Sequence, residues 1–100
     1  MIPEVLQNSK QKIEQIFRRY QIRELSLFGS RVRGDFSDKS DFDFLIEFEP
    51  EAEIDYFQYF EIQEELEKVV RKKVDLVPKN GLKIFVRNRV LSEAEIVYAA

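Results

Sequence analysis

Residues 41–48, Asp-Phe-Asp-Phe-Leu-Ile-Glu-Phe, alternate with the period of two that belongs to an extended strand. Phe42, Phe44, Ile46 and Phe48 fall on one side, and Asp41, Asp43, Leu45 and Glu47 on the other. A strand with one apolar face needs other elements to cover it. Pro50 ends it, since proline has no N–H for the ladder.

The remaining patterning supplies the cover. Val5, Leu6, Ile13, Ile16, Phe17 and Tyr20 recur at helical spacing and predict one amphipathic helix over residues 3–20. Residues 22–28 read as a short strand closed by Gly29, and residues 30–34 as a single helical turn or tight loop with Ser30 placed to cap it. A polar loop follows over residues 35–40. Tyr59, Ile62, Leu66, Val69 and Val70 form one stripe and predict a long helix over residues 54–71. Phe57 and Phe60 lie off that stripe, and either meet a second part of the core or face a partner. Residues 73–77 form a short strand stopped by Pro78. After the turn at residues 79–81, residues 82–91 predict a helix and residues 96–98 a closing strand. This order implies one α/β domain over residues 1–100, an open sheet backed by helices, and nothing in the chain resembles a linker or repeat.

Composition narrows the chemistry. Neither His nor Cys occurs, which excludes thiol and imidazole nucleophiles, disulfides and zinc sites built on those ligands. Carboxylates, Lys, Arg, Tyr and hydroxyls remain, and a metal would have to be a hard cation such as Mg²⁺ or Mn²⁺. No apolar stretch approaches the roughly 20 residues of a membrane span, and the first residues lack a signal-peptide layout, so a cytoplasmic protein is expected. The net charge of −3 argues against direct nucleic-acid binding. Charge is also segregated. Residues 35–67 are acidic apart from Lys39, and residues 68–89 are mostly basic, as either a solvated surface or a partner face.

The chemistry-bearing pattern is Gly29-Ser30, ten residues, then Asp41-Phe42-Asp43. Carboxylates two apart on a strand share a face, with Cα atoms about 6.5–7 Å apart. They can converge on one metal or bracket two, as phosphoryl and nucleotidyl transfer require. A strand ending in Gly-Ser and opening a helical turn offers N–H groups and a hydroxyl to phosphate oxygens. Taken singly, the first piece also reads as a loop–strand junction and the second as a plain turn. Asp75 interrupts an apolar strand, where a buried unpaired charge would be costly. It either joins Asp41 and Asp43 at a metal and helps deprotonate an attacking hydroxyl, or faces solvent on an edge strand paired with Lys73 or Arg71. Arg31 and Arg33 flank the phosphate seat, where they can clamp a triphosphate or neutralise the acidic loop; Arg31, nearer Ser30, is the preferred clamp. Lys79, Lys83, Arg87 and Arg89 read as a solvated helix face or as contacts to phosphates or an acidic partner.

The stretch Leu27-Phe28-Gly29-Ser30-Arg31-Val32-Arg33-Gly34, followed by Ser40-Asp41-Phe42-Asp43-Phe44-Leu45-Ile46, resembles the signature of the minimal nucleotidyltransferase family within the DNA polymerase β-like superfamily. Lys73-Val74-Asp75-Leu76-Val77 resembles the family's third-carboxylate strand. The resemblance implies a small nucleotidyltransferase domain with a mixed sheet of about four strands flanked by helices. It further implies two Mg²⁺ ions and a nucleoside triphosphate, usually ATP. Asp41 and Asp43 would be metal ligands, Asp75 the third carboxylate, and Gly29 and Ser30 the triphosphate seat. Stand-alone members resemble antitoxins that transfer AMP to a tyrosine hydroxyl of a HEPN-domain ribonuclease toxin. Three readings follow: such an adenylyltransferase, a non-catalytic module that masks a toxin, or a transferase acting on a small molecule or a nucleic-acid 3′ end.

Overall fold

The computed structural model describes residues 2–100. Its elements are α1 (Glu4–Gln7), α2 (Lys10–Tyr20), β1 (Ile22–Phe28), α3 (Ser30–Arg33), β2 (Phe42–Phe48), α4 (Tyr56–Val70), β3 (Val74–Pro78), α5 (Ile84–Glu93) and β4 (Glu95–Ala99), with a 3-10 turn at Lys79–Gly81. The strands form one mixed sheet in the order β3-β2-β1-β4. β1 runs antiparallel to both β2 and β4, and β3 runs parallel to β2. The expected small α/β domain with a four-stranded mixed sheet is therefore found.

The alternation in β2 works as its spacing predicts. Phe42, Phe44 and Ile46 are buried, and Leu27 and Leu25 of β1 stand opposite Phe44 and Ile46 on that face. Ile13, Ile16, Phe17 and Tyr20 of α2 join Ile62, Leu66 and Val70 of α4 in the same cluster. Each fully buried aliphatic or aromatic side chain contributes roughly 1.5–3 kcal/mol. Truncating the fully buried Phe44 to alanine should cost about 3–5 kcal/mol.

The single helix expected over residues 3–20 is two helices. Asn8 and Ser9 break it, with the Ser9 hydroxyl donating to the Val5 carbonyl at 2.7 Å and so competing with the regular ladder. The long helix forms with Asp55 as its cap. The Asp55 carboxylate accepts from the Gln58 N–H at 2.8 Å, and the Asp55 N–H donates to Gln58 Oε1 at 3.2 Å. Its off-stripe aromatics prove to be surface residues, Phe57 at 80% and Phe60 at 57% exposure.

The sheet's other face carries Ser26 and Leu45, which pair with each other and are buried outside the main cluster. α5 joins β3 to β4 at opposite edges of the sheet and buries only Val90 of its own side chains. By the alternation of β2, Asp43 belongs to this second, sparsely covered face.

Candidate active site

β1 delivers the chain to the site. Phe28, its last residue, stands opposite Asp43 near the start of β2. Gly29 then turns with φ 80° and ψ −155°, a conformation reserved for glycine. The position also excludes any side chain, because a Cβ there would collide with the Asp43 carboxylate oxygen Oδ2. Gly29 thus lets the backbone come down onto Asp43.

Gly29, rather than Ser30 as expected, occupies the cap position of α3. The Val32 and Arg33 N–H groups both donate to the Gly29 carbonyl at 3.1 Å. Ser30 and Arg31 precede the first bond of the turn, so their N–H groups have no partner within it. Gly34 ends the turn with φ 93°.

Two of the three expected carboxylates are brought to one face of the sheet. Asp43 and Asp75 are register partners across the parallel β2–β3 pair, which puts both on one face. Asp43 is half-buried, whereas Asp41 and Asp75 are exposed. Burial, then the charges of Asp75 and Asp41, push the Asp43 carboxyl up from 3.8 to about 6, against a smaller opposing effect of Arg33. Asp75 is not buried: it faces solvent on the edge strand β3, as the alternative reading expected. Nor does it take part in a hydrogen bond or ion pair with Lys73 or Arg71.

Among the described residues no three acidic side chains are gathered closely enough to hold an ion as they stand. The donor set nevertheless fits a hard divalent cation. All its ligating atoms are carboxylate oxygens, and their mutual repulsion at Asp43 is what a cation would relieve.

The two arginines part company. The Arg31 guanidinium lies 4.5 Å from the ring centres of both Phe36 and Phe42, and its Nη2 donates to the Ser40 carbonyl at 2.8 Å. Its buried Nε has no hydrogen-bond partner among the described residues. Arg31, the expected clamp, is therefore committed to the loop that leads into Asp41. Arg33 faces outward and pairs with Glu93 at 3.1 Å and Asp35 at 3.4 Å. The expected neutralisation of the acidic loop is thus seen at Arg33.

Sequence reading missed Glu93 and Lys72, and weighed Lys73 only as a partner of Asp75. Glu93 tethers Arg33 from 60 residues away and adds to the charge felt by Asp43. Lys72 and Lys73 line an open cleft with Asp41 and Asp75. The lysines were visible in sequence, just ahead of Asp75; Glu93 carried no local signal. Lys79, from the basic run, is engaged with Glu24 at 3.2 Å.

Comparison with known proteins gives the family. The family described as "Polymerase beta, Nucleotidyltransferase" matches residues 11–100. Protein adenylyltransferase MntA of Thermococcus cleftensis is 36% identical over 85 residues, covering 85% of this chain and 82% of the relative. A crystal structure of a toxin–antitoxin with AMP-PNP superposes with a TM-score of 0.70 at 20% identity, over 91% of this chain and 73% of that one. A tri-AMPylated Shewanella oneidensis HEPN toxin in complex with MNT antitoxin gives 0.65 at 18% identity, over 95% and 73%. At those identities the two structures speak for the fold. With the Gly-Ser turn set against paired carboxylates, the match across nine-tenths of its length means that the chain belongs to the polymerase β nucleotidyltransferase family, as a minimal nucleotidyltransferase.

Proposed function

We propose that this chain transfers AMP from ATP to a tyrosine hydroxyl of a HEPN-domain toxin and thereby neutralises it. The observation that carries the reading is the placement of Asp43 opposite Asp75 with the Gly29 turn closed down upon it. The name of the Thermococcus relative and the nucleotide-bound and toxin-bound likenesses support it.

Gly29 and Ser30 seat the triphosphate through N–H groups and the Ser30 hydroxyl. Arg33 adds positive charge beside them, while Arg31 shapes the seat by holding residues 36–40 in place. Asp41, Asp43 and Asp75 would hold Mg²⁺, two ions in the full arrangement, which when bound supplies charge stabilisation to the reacting phosphate. The acceptor oxygen forms a bond to the α-phosphorus as the bond to the bridging oxygen breaks. Pyrophosphate leaves with the electron pair, and the hydroxyl proton passes to a site carboxylate, Asp75 being more accessible than Asp43. With no imidazole in the chain, a carboxylate is the available base.

A second reading, neutralisation by masking alone, is favoured by the exposed aromatics of α4 and α5. Incubation with ATP, Mg²⁺ and the cognate HEPN-domain protein, followed by intact mass measurement, separates the two. Whole AMP units that vanish with Asp41→Asn/Asp43→Asn support transfer. Protection without added mass, unchanged in that variant, supports masking.

A further inference from the structure

Three of the four tyrosines are unfit to be acceptors themselves. Tyr20 is buried and donates to Glu61 at 2.9 Å. Tyr59 donates to the Leu76 carbonyl at 2.6 Å, and burial together with Asp75 pushes its hydroxyl up to about 12. Tyr98 is half-buried with its ring edge-on to Phe17, 4.6 Å between centres. Tyr56 differs: it opens α4, is 86% exposed, and its hydroxyl has no hydrogen-bond partner among the described residues.

Its surroundings are suited to docking. Phe57 and Phe60 stand exposed beside it, rimmed by Glu61 and Glu64. α5 presents the complementary surface. Ile84 is 80% and Phe85 94% exposed, next to Lys83, Arg87 and Arg89, which form no ion pair among the described residues. The last turn of α5 is tied to the site through Glu93 and Arg33. Tyr56 cannot serve its own site. α4 follows the C-terminal end of β2, whose last residue, Phe48, lies five residues and roughly 16 Å along the strand from Asp43, and its buried side chains cover the opposite face of the sheet.

We propose that Tyr56 is an AMP acceptor in trans, presented to the site of a second copy by docking the acidic aromatic face of α4 on the basic apolar face of α5. The proposal rests on the transfer reading above. The Tyr56 oxygen bonds to the α-phosphorus of ATP, pyrophosphate departs with the electron pair of the broken bond, and the phenolic proton goes to a site carboxylate. Such a contact joins two different faces and is heterologous.

The test uses the purified chain with ATP and Mg²⁺, read by intact mass and peptide mapping, with the cognate HEPN-domain protein in a parallel tube. The expected result is one adenylyl group on Tyr56. Tyr56→Phe should gain none yet modify the HEPN-domain protein at the wild-type rate. Mixed with Tyr56→Phe, an Asp41→Asn/Asp43→Asn chain should be modified on its own Tyr56. Arg87→Glu/Arg89→Glu should slow self-modification about tenfold or more. A modified HEPN-domain protein with an unmodified chain, an adduct that persists in Tyr56→Phe, or an unmodified inactive chain in the mixture overturns the proposal. Failure of both acceptors would instead overturn the transfer reading on which it rests.

Discussion

Asp43 and Asp75 stand as register partners on adjacent parallel strands, two like charges facing the same side of the sheet. Burial first, and then the charges of Asp75 and Asp41, raise the Asp43 carboxyl from 3.8 to about 6. Sites that store unfavourable charge in this way are typically functional.

The first prediction concerns stability. A carboxyl raised on folding binds protons more tightly in the native state, so its destabilising effect is full above pH 6 and is relieved as pH falls through 6 towards 3.8. Asp43→Asn should therefore stabilise the metal-free protein at pH 7 by about 1–2 kcal/mol once solvent screening is discounted. The gain should shrink at pH 4 and be accompanied by loss of transfer. Thermal denaturation across pH without divalent ions checks this; a variant less stable than wild type at pH 7 would contradict it.

Gly29 and Gly34 make a controlled pair, since both have positive φ. Gly29→Ala meets the Asp43 carboxylate as well as backbone strain, whereas Gly34→Ala meets open space. The first should cost more than about 2 kcal/mol and displace Asp43, the second about 1 kcal/mol from conformation alone. Urea unfolding of both variants gives the comparison, and equal losses would mean that contact with Asp43 is not decisive.

Arg31→Ala should lower stability by about 1–3 kcal/mol, through two ring contacts and the bond to Ser40, and should speed hydrogen exchange across residues 35–41. Arg33→Ala removes exposed, solvent-screened ion pairs and should leave stability nearly unchanged while weakening ATP binding. Calorimetry with ATP alongside thermal melts distinguishes the roles; unchanged ATP affinity in Arg33→Ala would remove it from the seat.

Mg²⁺ or Mn²⁺ should raise the melting temperature of the wild-type chain, because an ion that binds only the folded site stabilises it. Asp41→Asn/Asp43→Asn should show no such rise. A rise of equal size in the variant would place the ion elsewhere.

Local patterns were legible and long-range ones were not. The alternation of β2 and the stripe of α4 depend on residues a few positions apart, so spacing foretold the core-facing Phe42, Phe44, Ile46, Ile62 and Leu66, though not the burial of Leu45 on the other face. The Gly29-Ser30 and Asp41-Phe42-Asp43 pieces were legible as neighbours because antiparallel strands bring the end of one to the start of the next. The break at Asn8 and Ser9 was hidden, since a hydroxyl bonding back to Val5 leaves the apolar spacing intact. The commitment of Arg31 depends on Phe36 and Phe42 closing around it, and the tether of Arg33 on a glutamate 60 residues away. Neither leaves a periodic trace.

The most direct test of the central claim is which phosphorus of ATP reaches the acceptor. With ATP labelled on its α-phosphate, the cognate HEPN-domain protein should become labelled in the presence of this chain and Mg²⁺, and should remain unlabelled with Asp41→Asn/Asp43→Asn. With ATP labelled on its γ-phosphate, it should gain nothing. Label arriving from the γ-phosphate, or none from the α-phosphate in a mixture that still neutralises the toxin, would contradict nucleotidyl transfer as the function of this site.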